Sequence, residues 1–215
     1  MSSYLVVSAT VAEAAHVPAD LPLVITGLGK TAAAAATARA LASYDDTAGL
    51  TVVNIGTAGG LRPGLSGLFE PGVVLNHDIS ADVIRSLGYD PQERLVVGPS
   101  EVVLATGDVF VSDPAVRDAL AERAHLVDME GYAVAWAARE AGVPVRLVKH
   151  VSDSADEGAM DWPTLIEASA VALGSGSRRT RSSSTAVGRL LRERRRGAGC
   201  PCRWWRGASD RPFGG

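Results

Sequence analysis

The strongest constraint on this chain is an alternation: across residues 1–174, short β-branched runs repeatedly give way to alanine-rich stretches. "YLVVSA", "LPLVIT", "LTVVNI", "GVVLN", "EVVLAT", "HLVDM" and "VPVRLVKHV" have the length and residue types of buried strands. Between them, "KTAAAAATARALASY" and "EGYAVAWAAREAG" carry high helix propensity and stop at turn or glycine residues. "DWPTLIEASAVAL" reads as another helix, with an aspartate cap and a proline in its first turn. Strands and helices in alternation bury their apolar faces by layering helices on a mainly parallel or mixed sheet. The expected fold is a layered α/β domain built on a mainly parallel or mixed sheet, spanning residues 1–174.

A chain of 215 residues, 47% hydrophobic and 5% aromatic, suits one such domain with a sizeable core. Its apolar runs are strand-length and fall far short of a bilayer span, and no leader-like pattern opens the sequence, so we expect a cytoplasmic protein with no membrane partner. The cysteines are Cys200 and Cys202, close to the end of the chain, which supports neither a disulfide framework nor a four-cysteine zinc site.

The net charge of −3 conceals an asymmetry. Residues 175–215 hold 11 Arg against Glu193 and Asp210, a net of +9, which leaves −12 for residues 1–174. In that tail apolar periodicity gives way to Gly, Ser and Arg, a composition that builds no core. A basic tail with Trp204 and Trp205 can bind nucleic acid by neutralising phosphates and stacking on bases. The competing reading is a dispensable, non-catalytic tail, because it begins abruptly inside what reads as the final helix. We adopt the second and expect no nucleic-acid partner.

Three places can carry chemistry. In "ITGLGKTAAAAAT", Gly27 and Gly29 follow a strand and open a helix, where backbone N–H groups can approach an anion; a plain strand-to-helix turn explains them equally well. In "VVNIGTAGGL", small residues follow a strand and let a flat ligand lie against the backbone, or allow close packing of a crossing segment. Carboxylates gather at strand ends: Asp153 beside Ser152, with Asp156 a turn further on; Glu130 after Asp128; and Glu13 in the first loop. Taken singly, each of these has a bland role as a cap, a helix-start charge or a solvated residue.

Together, "VVSATVAEA", "TGLGKTAAAAA", "NIGTAGGL", "ATGDVFV", "VDMEGYAVAWAAREAGVPV" and "VKHVSDSAD" occur in the order and spacing that resembles the nucleoside phosphorylase and nucleosidase superfamily, most of all its methylthioadenosine/adenosylhomocysteine nucleosidases. The resemblance covers residues 4 to about 174 and implies a three-layer α/β/α fold with a central mixed β-sheet, of the nucleoside phosphorylase-like kind. It implies that Glu130 holds the ribose hydroxyls, with Met129 against the sugar and Asp128 behind it or at the helix start. Asp153 becomes the general acid toward the purine N7, oriented by Ser152, and Glu13 the base that activates water. Thr57, followed by Ala58 and Gly59, keeps a hydroxyl near the ribose. Phe110 stacks on the base, the Val111 backbone contacts its edge, Trp162 covers the ligand, and Lys149 stands where an arginine supports the water.

Phosphorylases of this superfamily place arginines at the anion site; here Asn54 stands in one of those positions and residues 1–38 contain no Arg. A phosphate dianion needs cationic partners, so water is the expected nucleophile. The expected activity is cofactor-free and metal-free hydrolysis of a 5′-modified adenosine by a homodimer. A phosphate-dependent phosphorylase, a futalosine-type hydrolase and an inactive nucleoside-binding protein stand as alternatives. His77 and Asp78 lie in a compressed segment beside the 5′ side of the pocket and can contact substrate, though a lone His after a strand is more often a packing residue.

Overall fold

The computed structural model describes residues 3–156, 165–167 and 169–176. In chain order these are β1 (Ser3–Ser8), β2 (Leu23–Ile25), α1 (Lys30–Ala42), β3 (Leu50–Gly60), β4 (Gly67–Phe69), β5 (Val73–Asn76), α2 (Ala81–Ser86), β6 (Arg94–Val96), β7 (Val103–Thr106), α3 (Pro114–Ala121), β8 (Leu126–Asp128), α4 (Gly131–Glu140) and β9 (Val145–Asp153). Helical backbone follows at residues 165–167 and 169–176.

The strands form one mixed sheet in the order β2-β1-β3-β8-β7-β5-β6, with β9 on β3 and β4 on β9. β3 organises it. Its first half pairs parallel with β1, most of its length pairs parallel with β9, and Gly59 and Gly60 pair antiparallel with Val127 and Leu126 of β8.

Alternation along the strands separates two apolar layers. Leu5, Val7, Val52, Val74, Leu104, Leu126 and Leu147 point to the face that packs with α1 and α4. Their neighbours Val6, Val53, Ile55 and Val148 turn to the opposite face, where Leu173 of the last helical segment covers them. Val73, Leu75, Val103, Ala105 and Val127 likewise pack toward Leu120 and Ala121 of α3. Helices therefore lie on both sides of a mixed sheet, as the alternating pattern predicts.

Several boundaries differ from the expectation. The strand expected to end at Ile55 continues to Gly60, because β9 supplies a parallel partner as far as Gly59. β9 itself runs to Asp153 instead of stopping at Val151. β4 and β6 were not expected and are defined by their pairing with β9 and β5. α3 did carry a local signal: Asp113 caps it, accepting from Ala115 N–H at 2.7 Å, and Pro114 occupies its first turn. Helical backbone runs through Gly174 to Gly176, past the expected interruption, and the basic tail beyond it lies outside the described residues.

Gly131 marks the closest packing between α4 and the sheet. A Cβ there would lie 2.6 Å from Leu104 Cδ2 and 2.9 Å from Asp128 Oδ2. Gly131→Ala is expected to lower stability by about 1–3 kcal/mol through overpacking, measured as a shift in urea midpoint with unchanged slope.

Candidate active site

A cavity of about 560 Å³ opens where the ends of β1, β7, β8 and β9 meet the glycine-rich half of β3, a volume suited to a small-molecule ligand. Its wall includes Glu13, Thr57, Ala58, Gly59, Phe110, Val111, Met129, Glu130, Ser152 and Asp153, so nearly every site residue expected from the sequence meets here. Trp162 lies outside the described residues.

A bulge brings Ser152 and Asp153 to the wall together. Consecutive residues of a regular strand face opposite ways, but the β3–β9 register passes from Ala58↔Val151 to Gly59↔Asp153 and skips Ser152. Asp153 Oδ2 accepts from Ser152 Oγ at 2.7 Å, and Oδ1 accepts from Ala155 N–H at 2.8 Å. A Cβ at position 59 would lie 3.2 Å from Asp153 Oδ1 and 2.9 Å from Ala155 Cβ, so glycine leaves this carboxylate its room.

Glu13 is 3% exposed, and both its oxygens are engaged. Oε1 accepts from the Thr57 N–H and hydroxyl, each at 2.8 Å. Oε2 accepts from the Thr10 hydroxyl at 3.0 Å and the Thr10 N–H at 3.2 Å. The Thr57 hydroxyl, which the resemblance places beside the sugar, thus orients the candidate base. A Cβ at Gly56 would lie 3.2 Å from Lys149 Nζ and 3.3 Å from Glu13 Oε1, so the cation and the carboxylate face the same small residue.

A buried ion pair reaches the wall, which Asp128 lines. Lys149 Nζ is 2.8 Å from Asp128 Oδ2, with the two side chains 1% and 2% exposed. Asp128 also accepts from Gly131 N–H at 2.9 Å and from the Thr106 hydroxyl at 2.5 Å, and that hydroxyl accepts from Tyr132 N–H at 3.0 Å. Asp128 therefore lines the cavity itself, rather than standing behind it, and fastens the start of α4.

Glu130 is buried and accepts from Gly29 N–H through Oε1 at 2.8 Å. Burial, and next the charge of Asp128, push its carboxyl up to about 7, against the opposing pull of Lys149 and the Gly29 N–H. Such a group has one oxygen fixed by backbone and sits near neutrality, suited to exchanging hydrogen bonds with hydroxyl groups.

Sequence reasoning missed Ala9, Leu28, Val109, Ser112 and Val127 as wall residues; they lie within or beside the quoted motifs but carry no chemical signal of their own. His77 and Asp78 are not part of the wall. The His77 ring packs against Gly107, where a Cβ would lie 2.3 Å from Nε2; Asp78 pairs with Lys30. Asn54 is 1% exposed and donates to Val7 O at 3.1 Å, inside the sheet. Among the described residues, no group of three or more His, Cys, Asp or Glu is placed to hold a metal ion, and no helix is long and apolar enough to cross a membrane.

The chain is similar to known proteins in sequence and in fold. The sequence model of the Phosphorylase superfamily matches residues 82–181. The chain is 26% identical over 177 residues to a 5′-methylthioadenosine/S-adenosylhomocysteine nucleosidase of Shewanella sp. (strain W3-18-1), covering 68% of this chain and 74% of that protein. It is 29% identical over 120 residues to the aminodeoxyfutalosine nucleosidase of Helicobacter pylori, covering 45% and 52%. A crystal structure of the Helicobacter pylori 5′-methylthioadenosine/S-adenosylhomocysteine nucleosidase superposes with a TM-score of 0.73 at 20% identity, over 85% of this chain and 98% of that one. The fold is nucleoside phosphorylase-like, and the similarity to the nucleoside phosphorylase and nucleosidase superfamily extends from motifs to topology.

Two outcomes follow from the charges. Lys149→Met leaves Asp128 as a buried charge without its cation and is expected to cost about 3–5 kcal/mol; adding Asp128→Asn should make the double variant less damaged than the sum of the singles, read by urea denaturation. For Glu130, the folded protein keeps a proton between the ordinary 4.5 and about 7 that the unfolded chain has released. The stability this contributes is full below the unfolded value and is lost as pH rises through that window. Glu130→Gln should therefore flatten the decline in urea midpoint across it.

Proposed function

We propose that this chain is a purine nucleosidase that hydrolyses the N-glycosidic bond of a 5′-modified adenosine, with water as nucleophile. The observation that carries this reading is one cavity holding Glu13, Glu130 and the Ser152–Asp153 pair together, on a chain similar to nucleosidases in sequence and fold.

Cleavage of a purine from its sugar passes through an oxocarbenium-like sugar, whose positive charge the wall's carboxylates favour. Asp153 donates a proton to N7, so the C1′–N9 electron pair leaves on a neutral base. Water adds to C1′, and Glu13, held by Thr57 and Thr10, takes its proton. Lys149, beside Glu13 across Gly56, balances charge at the water site. Glu130 takes the ribose 2′ and 3′ hydroxyls with Met129 against the sugar, and Phe110 and Val111 meet the base. Asn54 supports water over phosphate, since it bonds within the sheet where an anion site would need a cation. On this reading the enzyme works without a cofactor, as a cytoplasmic homodimer, because closed two-fold assemblies are the commonest.

A second reading changes the 5′ group: the similarity to an aminodeoxyfutalosine nucleosidase admits a larger extension at that end.

The test is chromatography of the full chain with methylthioadenosine, with and without phosphate, beside aminodeoxyfutalosine. Adenine and free methylthioribose in both buffers are expected. Cleavage only with phosphate would replace hydrolysis by phosphorolysis, and no cleavage of either nucleoside would remove the enzymatic reading. Asp153→Asn and Glu13→Gln should each lower kcat by roughly 10²–10⁴, with substrate binding by Asp153→Asn retained in calorimetry.

A further inference from the structure

The first two backbone N–H groups of the α1 junction go to carboxylates from two different segments. Gly29 N–H donates to Glu130 Oε1 at 2.8 Å, and Lys30 N–H donates to Asp108 Oδ1 at 2.7 Å. N–H groups at a helix start lack intrahelical acceptors and sit at the positive end of the dipole, so both bonds are charge-assisted. Gly29 has φ +90°, and a Cβ on it would lie 3.1 Å from Asp108 Oδ1, which keeps larger residues out of this junction.

The Lys30 side chain extends the junction to a third segment. Its Nζ donates to Asn76 Oδ1 at 2.8 Å at the end of β5, forms an ion pair with Asp78, and lies 3.9 Å from Asp108 Oδ2. Asp78 Oδ2 in turn accepts from Asp108 N–H at 2.8 Å. Lys30, Asp78 and Asp108 stand outside the cavity wall, yet their bonds lead to Glu130 on one side and, two residues beyond Asp108, to Phe110 on the other.

We propose that Lys30, Asp78 and Asp108 form a positioning clamp that sets the ribose-facing Glu130 and the base-facing segment 109–112 together through the start of α1. The substrate side of this inference rests on the nucleosidase reading; the linkage among the three segments does not. Because one helix start serves both carboxylates, releasing it withdraws support from the ribose and base contacts at once. Those contacts exist in the bound substrate as well as in the transition state, so their loss raises KM and leaves kcat largely in place. An isolated surface ion pair would do neither.

Hydrogen exchange on the ligand-free full chain tests the linkage, comparing the wild type with Asp78→Ala and, as a second variant, Lys30→Met. In either variant, the amides of Gly29, Lys30 and Asp108 should exchange faster together, by roughly tenfold, the scale of one charge-assisted hydrogen bond, with β3 and α4 unchanged. KM for methylthioadenosine should rise by roughly tenfold, and Lys30→Arg should retain the wild-type values. Acceleration confined to the segment that carries the substitution, or a loss in kcat instead of KM, overturns the clamp. If the wild type cleaves no nucleoside, the nucleosidase reading falls and the exchange data alone decide the linkage.

Discussion

The buried pair of Asp128 and Lys149 is the interaction on which the rest of the site depends. An ammonium and a carboxylate taken out of water are each costly, and their attraction offsets that cost only when the remaining hydrogen-bonding capacity is also met. For Asp128 it is met from several directions. Thr106 at the end of β7 and the Gly131 N–H at the start of α4 both donate to Asp128, while Lys149 arrives from β9. Satisfying one buried charge thus fastens three strands and a helix at the cavity wall, and the same charge helps raise the carboxyl of Glu130.

Around that point, the cavity exists where side chains are small or absent. Gly56 lets Lys149 and Glu13 approach from the same side, and Gly59 leaves space for Asp153 and Ala155. The register skip at Ser152 turns two consecutive residues toward one pocket. Carboxylates are costly to bury without partners, and each one here has them: Thr57 and Thr10 for Glu13, Gly29 for Glu130, Ser152 and Ala155 for Asp153. Preorganisation of this kind is what the proposed hydrolysis, which develops positive charge on a sugar, requires.

Much of this was legible in the sequence, and for identifiable reasons. The β-branched runs and alanine-rich stretches located seven of the nine strands, α1 and α4, because alternation and propensity are local properties. Glu13, Glu130 and Asp153 were legible because each sits in a motif of recognisable composition. β4 and β6 were not: each is defined by its pairing, with β9 and with β5, whereas the equally short β2 and β8 lie within the longer runs "LPLVIT" and "HLVDM". Nor was the partner of Lys149. Residues 128 and 149 come together only because β8 and β9 both border β3.

The sequence by itself determined the layered α/β class, the placement of apolar positions on two faces, and the inventory of acidic groups, because these depend on residue type and on spacing within one element. Tertiary structure decided which groups share a wall, where the Thr57 hydroxyl points, how far β3 continues through its glycines, and which helix start holds Glu130. Those outcomes depend on long-range pairings such as Gly29 with Glu130, and the free energy of a contact between distant segments is fixed by the whole packing arrangement rather than by either segment alone.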